Sequence, residues 1–243
     1  MRKRKNNNVN NTFDAQKMLL SDATPFSVQE AYKTLRTNVT FSLPGSGCKC
    51  IGITSAQRSD GKSSVSSNLA ISLAQINKRV VLIDCDLRLP TIAQKFNIRS
   101  TPGLSNWLSG DIAEIPLTHL EDKNIDILPS GNVPPDSTTL ISSQEILRLI
   151  KRLKESYDYI IFDFPPITIV SDAALLSGVI DGYLVVIRHE KSEYQMISET
   201  IRQLQFADAK IIGFVYNGLN VNKKYYKKGS YYKNGYYKSG YYK

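Results

Sequence analysis

The sequence predicts one α/β domain built on a doubly wound, mostly parallel sheet, and three observations carry that prediction. Short β-branched runs alternate with longer helical patterns from about residue 25 to residue 220. The runs are apolar throughout, which marks strands covered on both faces by helices. A turn rich in Ser, Gly and Lys joins the first run to the helix after it, where an open α/β sheet presents its ligand site.

Ser27-Val-Gln-Glu30 opens the first helix, with serine as N-cap and glutamate at capping-box spacing, and the helix extends to about Phe41. Strands are predicted over 50–54 (CIGIT), 80–84 (VVLID), 124–128 (NIDIL), 159–163 (YIIFD), 183–187 (YLVVI) and 211–215 (IIGFV). Helices are predicted near 62–76, 143–156, 171–179 and 193–206, and Trp107 and Met196 read as packing residues on helices. Residues 1–24 are polar and Asn-rich and read as a flexible arm, while 221–243 repeat a YYK unit with Gly and Ser between and read as a flexible tail. The folded domain is therefore expected over 25–220.

Composition narrows the function classes. The formal charge is +9, but seven lysines and no acid fall in 221–243, and Arg2, Lys3, Arg4 and Lys5 add to the other end. The body is close to neutral, so no folded nucleic-acid-binding face is expected. No stretch has the 18 or more apolar residues of a spanning helix, and the basic start runs into Asn-rich text instead of an apolar signal core. A cytoplasmic location is expected. Three cysteines, Cys48, Cys50 and Cys85, predict no disulfide framework, and with His119 and His189 alone they supply too few ligands for a metal cage.

The chemistry concentrates in three segments. Ser55-Ala-Gln-Arg-Ser-Asp-Gly-Lys-Ser-Ser64 has the spacing of a phosphate loop: a small residue, Ala56, then four residues, then Gly61, with backbone amides and a helix start converging on phosphate. Asp60, Gly61 and Ser64 belong to that loop, Lys62 would reach the β/γ oxygens, and Ser63 would hold Mg²⁺. Val80-Val-Leu-Ile-Asp84-Cys-Asp86-Leu-Arg88 and Tyr159-Ile-Ile-Phe-Asp163 are strands ending in carboxylates, and all three acids should face the loop from the carboxyl edge of the sheet. Mg²⁺ keeps several waters, which suits Ser63 as a direct ligand with Asp86 and Asp163 holding metal-bound water. The expected fold is a P-loop NTPase fold with deviant Walker motifs. Asn217, at the end of the last apolar run, stands where an adenine edge would be read or where a turn is formed.

The run Asp84-x-Asp86-x-Arg88 after an apolar strand resembles the additional Walker motif of the bacterial protein-tyrosine kinases of capsular and exopolysaccharide operons. The resemblance covers about 25–220 and includes EAYKTLRTN (30–38), ITSAQRSDGKSSVSSNLA (53–70), PGLSNWLSG (102–110) and YDYIIFDFPP (157–166). A C-terminal tyrosine cluster, here Tyr225, Tyr226, Tyr231, Tyr232, Tyr236, Tyr237, Tyr241 and Tyr242, is a further mark of that family. The resemblance implies ATP and Mg²⁺ as cofactors, Lys62, Asp84, Asp86 and Arg88 as catalytic residues, and the tail tyrosines as phosphoacceptors. Either Asp84 or Asp86 would take the tyrosine proton, with Asp84 the first choice. It also implies a homo-oligomer, even a ring, held through Glu30, Lys33 and Arg36; a separate transmembrane activator at the inner face of the plasma membrane; and a phosphotyrosine phosphatase.

Three departures stand out. Lys33 replaces the first arginine of Glu-x-x-Arg-x-x-Arg, Phe164 follows Asp163 where threonine is common, and PPDSTTLISS (134–143) replaces a Pro-Asn-Pro-x-x-Leu-Leu segment. Two rival readings remain at this point. One is a P-loop ATPase switch of the partitioning or positioning type, against which Gln57 and Arg58 replace that class's Lys-Gly-Gly. The other is a binding module whose basic aromatic tail holds a polyanion.

Overall fold

The structure is a computed structural model, and it describes residues 19–219. Its elements run α1 (Phe26–Ser42), β1 (Lys49–Ser55), α2 (Lys62–Ala74), β2 (Val80–Asp84), α3 (Ile92–Phe96), α4 (Leu104–Leu108), β3 (Thr118–Leu120) and β4 (Ile125–Leu128). They continue with α5 (Ser137–Ile141), α6 (Gln144–Ser156), β5 (Tyr159–Asp163), α7 (Asp172–Leu175), β6 (Gly182–Arg188), α8 (Tyr194–Phe206) and β7 (Ile211–Asn217). The strands form one seven-stranded sheet in the order β3-β4-β2-β5-β1-β6-β7. Every neighbouring pair is parallel except β3 on β4.

The apolar runs do serve two faces. In β5, Ile160 and Phe162 join a layer with Trp107 of α4, Leu149 of α6 and Leu204 of α8. Tyr159 and Ile161 join the opposite layer with Val39 of α1, Leu69 of α2 and Phe96 of α3. Eleven of the thirteen residues of α2 are buried, so this helix is enclosed nearly all round, and its serines and alanines let it lie close to the sheet. The chain leaves β1 toward β2 on one side and later returns to β6 on the other, which places a topological switch point at the carboxyl end of β1.

Several boundaries differ from the expected ones. The arm does not extend to residue 24: Leu19 and Leu20 are buried in the second layer, and the Leu20 amide donates to Asn68 Oδ1 of α2 at 2.8 Å. Residues 1–18 and the tail 221–243 lie outside the described residues. Helix α1 starts at Phe26 with Pro25 as N-cap, so Ser27 lies inside the first turn and no capping box forms; Glu30 pairs with Lys33 instead, at 2.7 Å. Only Asp172–Leu175 of the predicted 171–179 helix is helical, and α3, α4, α5 and the antiparallel edge strand β3 are too short to show a period in sequence. Trp107 is buried on α4, with its Nε1 donating to the Ala113 carbonyl.

The Phe164 departure is a packing feature. Phe164 is fully buried, stacks on Phe162 with ring centroids 5.8 Å apart, and lies beside Tyr183. Gly52 on β1 makes room for that cluster, since a Cβ there would come within 2.5 Å of the Tyr183 ring. The residue after Asp163 thus points away from the phosphate loop.

Candidate active site

The phosphate loop joins β1 to α2 and is held from three sides. The Asp60 carboxylate accepts the Gln57 amide at 2.9 Å, so it shapes the loop from within and is itself wholly buried. Thr168 Oγ1 donates to the Ala56 carbonyl at 2.6 Å, and Asn217 Nδ2 donates to the Asp60 carbonyl at 2.8 Å. Ala56, Asp60 and Asn217 therefore build the loop and do not line the cleft, whereas Gly61, Lys62, Ser63 and Ser64 do. Asn217 is a clamp from the end of β7, a role its position after a strand did not distinguish from an adenine contact.

Gly61 has φ +98°, the left-handed region, and a Cβ there would overlap Asn217 Nδ2. Gly61→Ala is expected to weaken Mg-ATP binding more than about tenfold, because the strain of about 1–3 kcal/mol falls on the loop that presents the amides. Adding Asn217→Ala removes the overlap but not the φ, so the double variant should recover only in part. Titration calorimetry checks this, and near wild-type affinity in the single variant would refute it.

The loop opens onto a cleft of about 450 Å³ at the carboxyl edge of the sheet. Its lining carries five cations, Arg58, Lys62, Arg88, Lys95 and Arg188, against one acid, Asp86. Such a surface favours a polyanion. Lys62 Nζ lies 2.9 Å from Asp86 Oδ2, 3.6 Å from Asp163 Oδ2 and 3.4 Å from Ser63 Oγ. Burial works to lower its pKa, but the charges of Asp163 and Asp86 outweigh burial and raise it.

The three strand-end acids occupy different environments. Asp163 is fully buried, and its two oxygens lack a well-formed hydrogen bond, with the Ser63 and Ser66 hydroxyls beside it. Burial raises its pKa against the pull of Lys62. Asp86 accepts the Leu89 amide on Oδ1 at 3.0 Å and offers Oδ2 to Lys62 at the cleft wall. Asp84 lies beneath that wall, with Oδ1 accepting the Asp86 amide at 3.2 Å and Oδ2 accepting the Thr91 and Ile92 amides at 3.2 and 3.0 Å. Burial first and the charge of Asp163 next push its pKa up to about 8.

Orphaned buried oxygens on Asp163 beside the Ser63 hydroxyl suit a hydrated divalent cation better than a bare one. Among the described residues no three His, Cys, Asp or Glu side chains form a cage, so an ion here would depend on Ser63, water and an anionic ligand. Arg88, at the rim, donates to Thr138 Oγ1 at 3.2 Å, and Asp136 caps the short helix α5 that carries Thr138. The departing 134–143 segment thus orders a cleft residue through a threonine.

Other predicted residues sit elsewhere. Arg36 donates to the Ser72 carbonyl of α2 at 2.5 Å within the same chain, while Glu30 and Lys33 form their own exposed pair. His119 binds Asp126 and His189 binds Tyr216. The three cysteines are free thiols, with Cys50 and Cys85 buried. Arg58, Lys95 and Arg188 join the cleft without having been singled out as binding residues: Arg58 sits at a variable position of the phosphate loop, and Lys95 and Arg188 lie outside the motifs.

Loop, switch point and strand-end acids together define a P-loop nucleotide-binding domain, and the AAA domain family matches residues 48–212. The chain is 37% identical to the tyrosine-protein kinase YwqD of Bacillus subtilis (strain 168) over 195 residues, which is 80% of this chain and 82% of that one. It is 34% identical to the tyrosine-protein kinase CpsD of Streptococcus agalactiae serotype III (strain NEM316), covering 82% and 85%. Its structure resembles the kinase domain of the Escherichia coli tyrosine kinase ETK with TM-score 0.75 at 31% identity, covering 79% of this chain and 75% of that one. The chain belongs to the bacterial tyrosine-protein kinases.

Proposed function

We propose that the chain is an ATP- and Mg²⁺-dependent autokinase that phosphorylates its own C-terminal tyrosine cluster, between subunits, and thereby regulates capsular or exopolysaccharide synthesis and export. The observation that carries this reading is the cation-lined cleft in which Lys62 lies between Asp86 and Asp163 at the start of α2. Such a site does phosphoryl transfer by positioning and charge neutralisation. Lys62 and the amides of Gly61, Ser63 and Ser64 would hold the phosphate chain, and Arg88 would close over it from the rim. Ser63 would take the metal directly, with Asp86 and Asp163 on its waters; Mg²⁺, when bound, neutralises charge on the phosphate oxygens.

Tyrosine loses its proton as the new bond forms, and a base must be within reach of the incoming hydroxyl. Asp86 lines the cleft, whereas both Asp84 oxygens are spent on backbone amides. We assign the base to Asp86 and give Asp84 the task of holding the Asp86–Ile92 turn.

Acceptors would be Tyr225, Tyr226, Tyr231, Tyr232, Tyr236, Tyr237, Tyr241 and Tyr242, in the segment with seven lysines and no acid. Each phosphate adds about −1.5 to −2 charge, so full modification would reverse the tail's sign. The oligomer would use α1, which presents Glu30 and Lys33 beside exposed Phe26 and Phe41. Among the described residues no helix is long and apolar enough to cross a membrane, which fits recruitment to the membrane by a separate transmembrane activator. A phosphotyrosine phosphatase would reset the tail.

Mixing a tail-less chain that keeps its active site with a full-length Lys62→Met chain tests transfer between subunits. Phosphotyrosine is expected on the Lys62→Met tail by mass spectrometry. A tail left unmodified there, while wild type modifies its own, would place transfer within one chain.

A further inference from the structure

Lys95 stands in the cleft without a carboxylate of its own. It comes from α3, lines the same cleft as Lys62, and donates from Nζ to Ser64 Oγ at 3.0 Å. Among the described residues that neutral hydroxyl is the ammonium's only hydrogen-bond partner, and no acid pairs with it as Asp86 and Asp163 pair with Lys62. Burial lowers its pKa and the charge of Lys62 adds to that, against the opposing pull of Asp163. A half-buried ammonium facing a second ammonium across an open cleft is poorly compensated until an anion enters.

Its position is fixed by the buried acid beneath. Asp84 accepts the Thr91 and Ile92 amides where α3 begins, and the Lys95 amide donates to the Thr91 carbonyl at 3.1 Å in the same turn. The loop that supplies Asp86 and Arg88 thus also delivers Lys95 to the start of α2.

We propose that Lys95 is a nucleotide-positioning residue whose ammonium bonds a non-transferred phosphate oxygen of the bound nucleotide. This rests on the reading of the cleft as the ATP site. Lys62 is anchored between Asp86 and Asp163, which places the transferring phosphate at that end. Lys95 instead meets the loop at Ser64, beside the amides that cradle the phosphates retained in ADP. An interaction present before and after transfer binds ground state and transition state alike, so it sets KM and not kcat.

The test compares Lys95→Gln, which can keep the Ser64 contact but removes the charge, with Lys95→Arg, which keeps the charge. Mg-ADP affinity by calorimetry and steady-state autophosphorylation against ATP are the readouts. Lys95→Gln is expected to bind Mg-ADP about tenfold more weakly and to raise the KM for ATP similarly, with kcat within about threefold of wild type. Lys95→Arg should stay within about threefold of wild type in all three. Wild-type Mg-ADP affinity in Lys95→Gln, a loss confined to kcat, or failure of arginine to restore binding would each overturn the assignment. Wild-type protein that binds no Mg-ADP would instead overturn the reading of the cleft itself.

Discussion

Lys62→Met should abolish tyrosine phosphorylation and also destabilise the nucleotide-free protein, and adding Asp163→Asn should restore the stability without the activity. The activity loss follows from removing the cation that faces the transferring phosphate, an effect of about 10²–10³ or more in rate. The stability loss follows from geometry that sequence does not reveal. A lysine in a phosphate loop gives no sign in sequence of supporting the fold, yet the Lys62 side chain is only 11% exposed and lies between Asp86 and a fully buried Asp163. Methionine would leave two carboxylates facing one another without a counter-charge. Breaking a buried ion pair from one side costs on the order of 3 kcal/mol, which for a domain of this size lowers the melting temperature by roughly 6–12 °C. Asp163→Asn removes the charge that methionine leaves uncompensated, so the double variant should melt above Lys62→Met alone. Scanning calorimetry of the four proteins measures this coupling. Equal melting temperatures for Lys62→Met and the double variant would show that the pairing contributes nothing to the fold.

The sheet was legible because its strands are apolar runs separated by longer segments of helical pattern. The phosphate loop was legible because Ala56, Gly61, Lys62 and Ser63 keep a fixed spacing that backbone geometry demands. What could not be read falls into two kinds. Short elements such as α3, α4 and β3 span less than two turns or a few strand residues, so their sequences carry no period. Lys95 and Arg188 enter the cleft from a short helix and a strand end, and only the fold brings such separate segments together. Asp60 lies in the loop by sequence, whereas Asn217, read as an adenine contact or a turn former, reaches the loop only in the fold, because whether a polar side chain faces ligand or backbone depends on which backbone groups are within reach. Leu19 and Leu20, inside the segment read as an arm, are buried against the sheet, and a pair of leucines beside polar text does not announce that packing.

Asp84 and Asp86 illustrate the same limit and give the second large effect. In sequence both are strand-end acids two residues apart, and Asp84 is the natural first choice for the base. Its raised pKa, about 8, would even suit a proton acceptor at neutral pH. Reach decides before pKa does. Asp84 is fully buried, is absent from the cleft lining, and already accepts three backbone amides, whereas Asp86 keeps one oxygen at the cleft wall. Asp86→Asn retains an oxygen for the Leu89 amide but loses the negative charge that a departing tyrosine proton needs. It should lower kcat by about 10²–10³ with a small change in melting temperature. Asp84→Asn cannot serve all three amides, since one carboxylate oxygen becomes an NH₂ group turned toward an N–H. That mismatch costs about 1–3 kcal/mol in stability while leaving the base in place, so kcat should fall less than about tenfold. Single-turnover phosphorylation of a tail peptide, with melting curves on the same samples, separates the two. If Asp84→Asn loses the larger share of kcat and Asp86→Asn the larger share of stability, the base is Asp84 and its amide bonds must open during turnover.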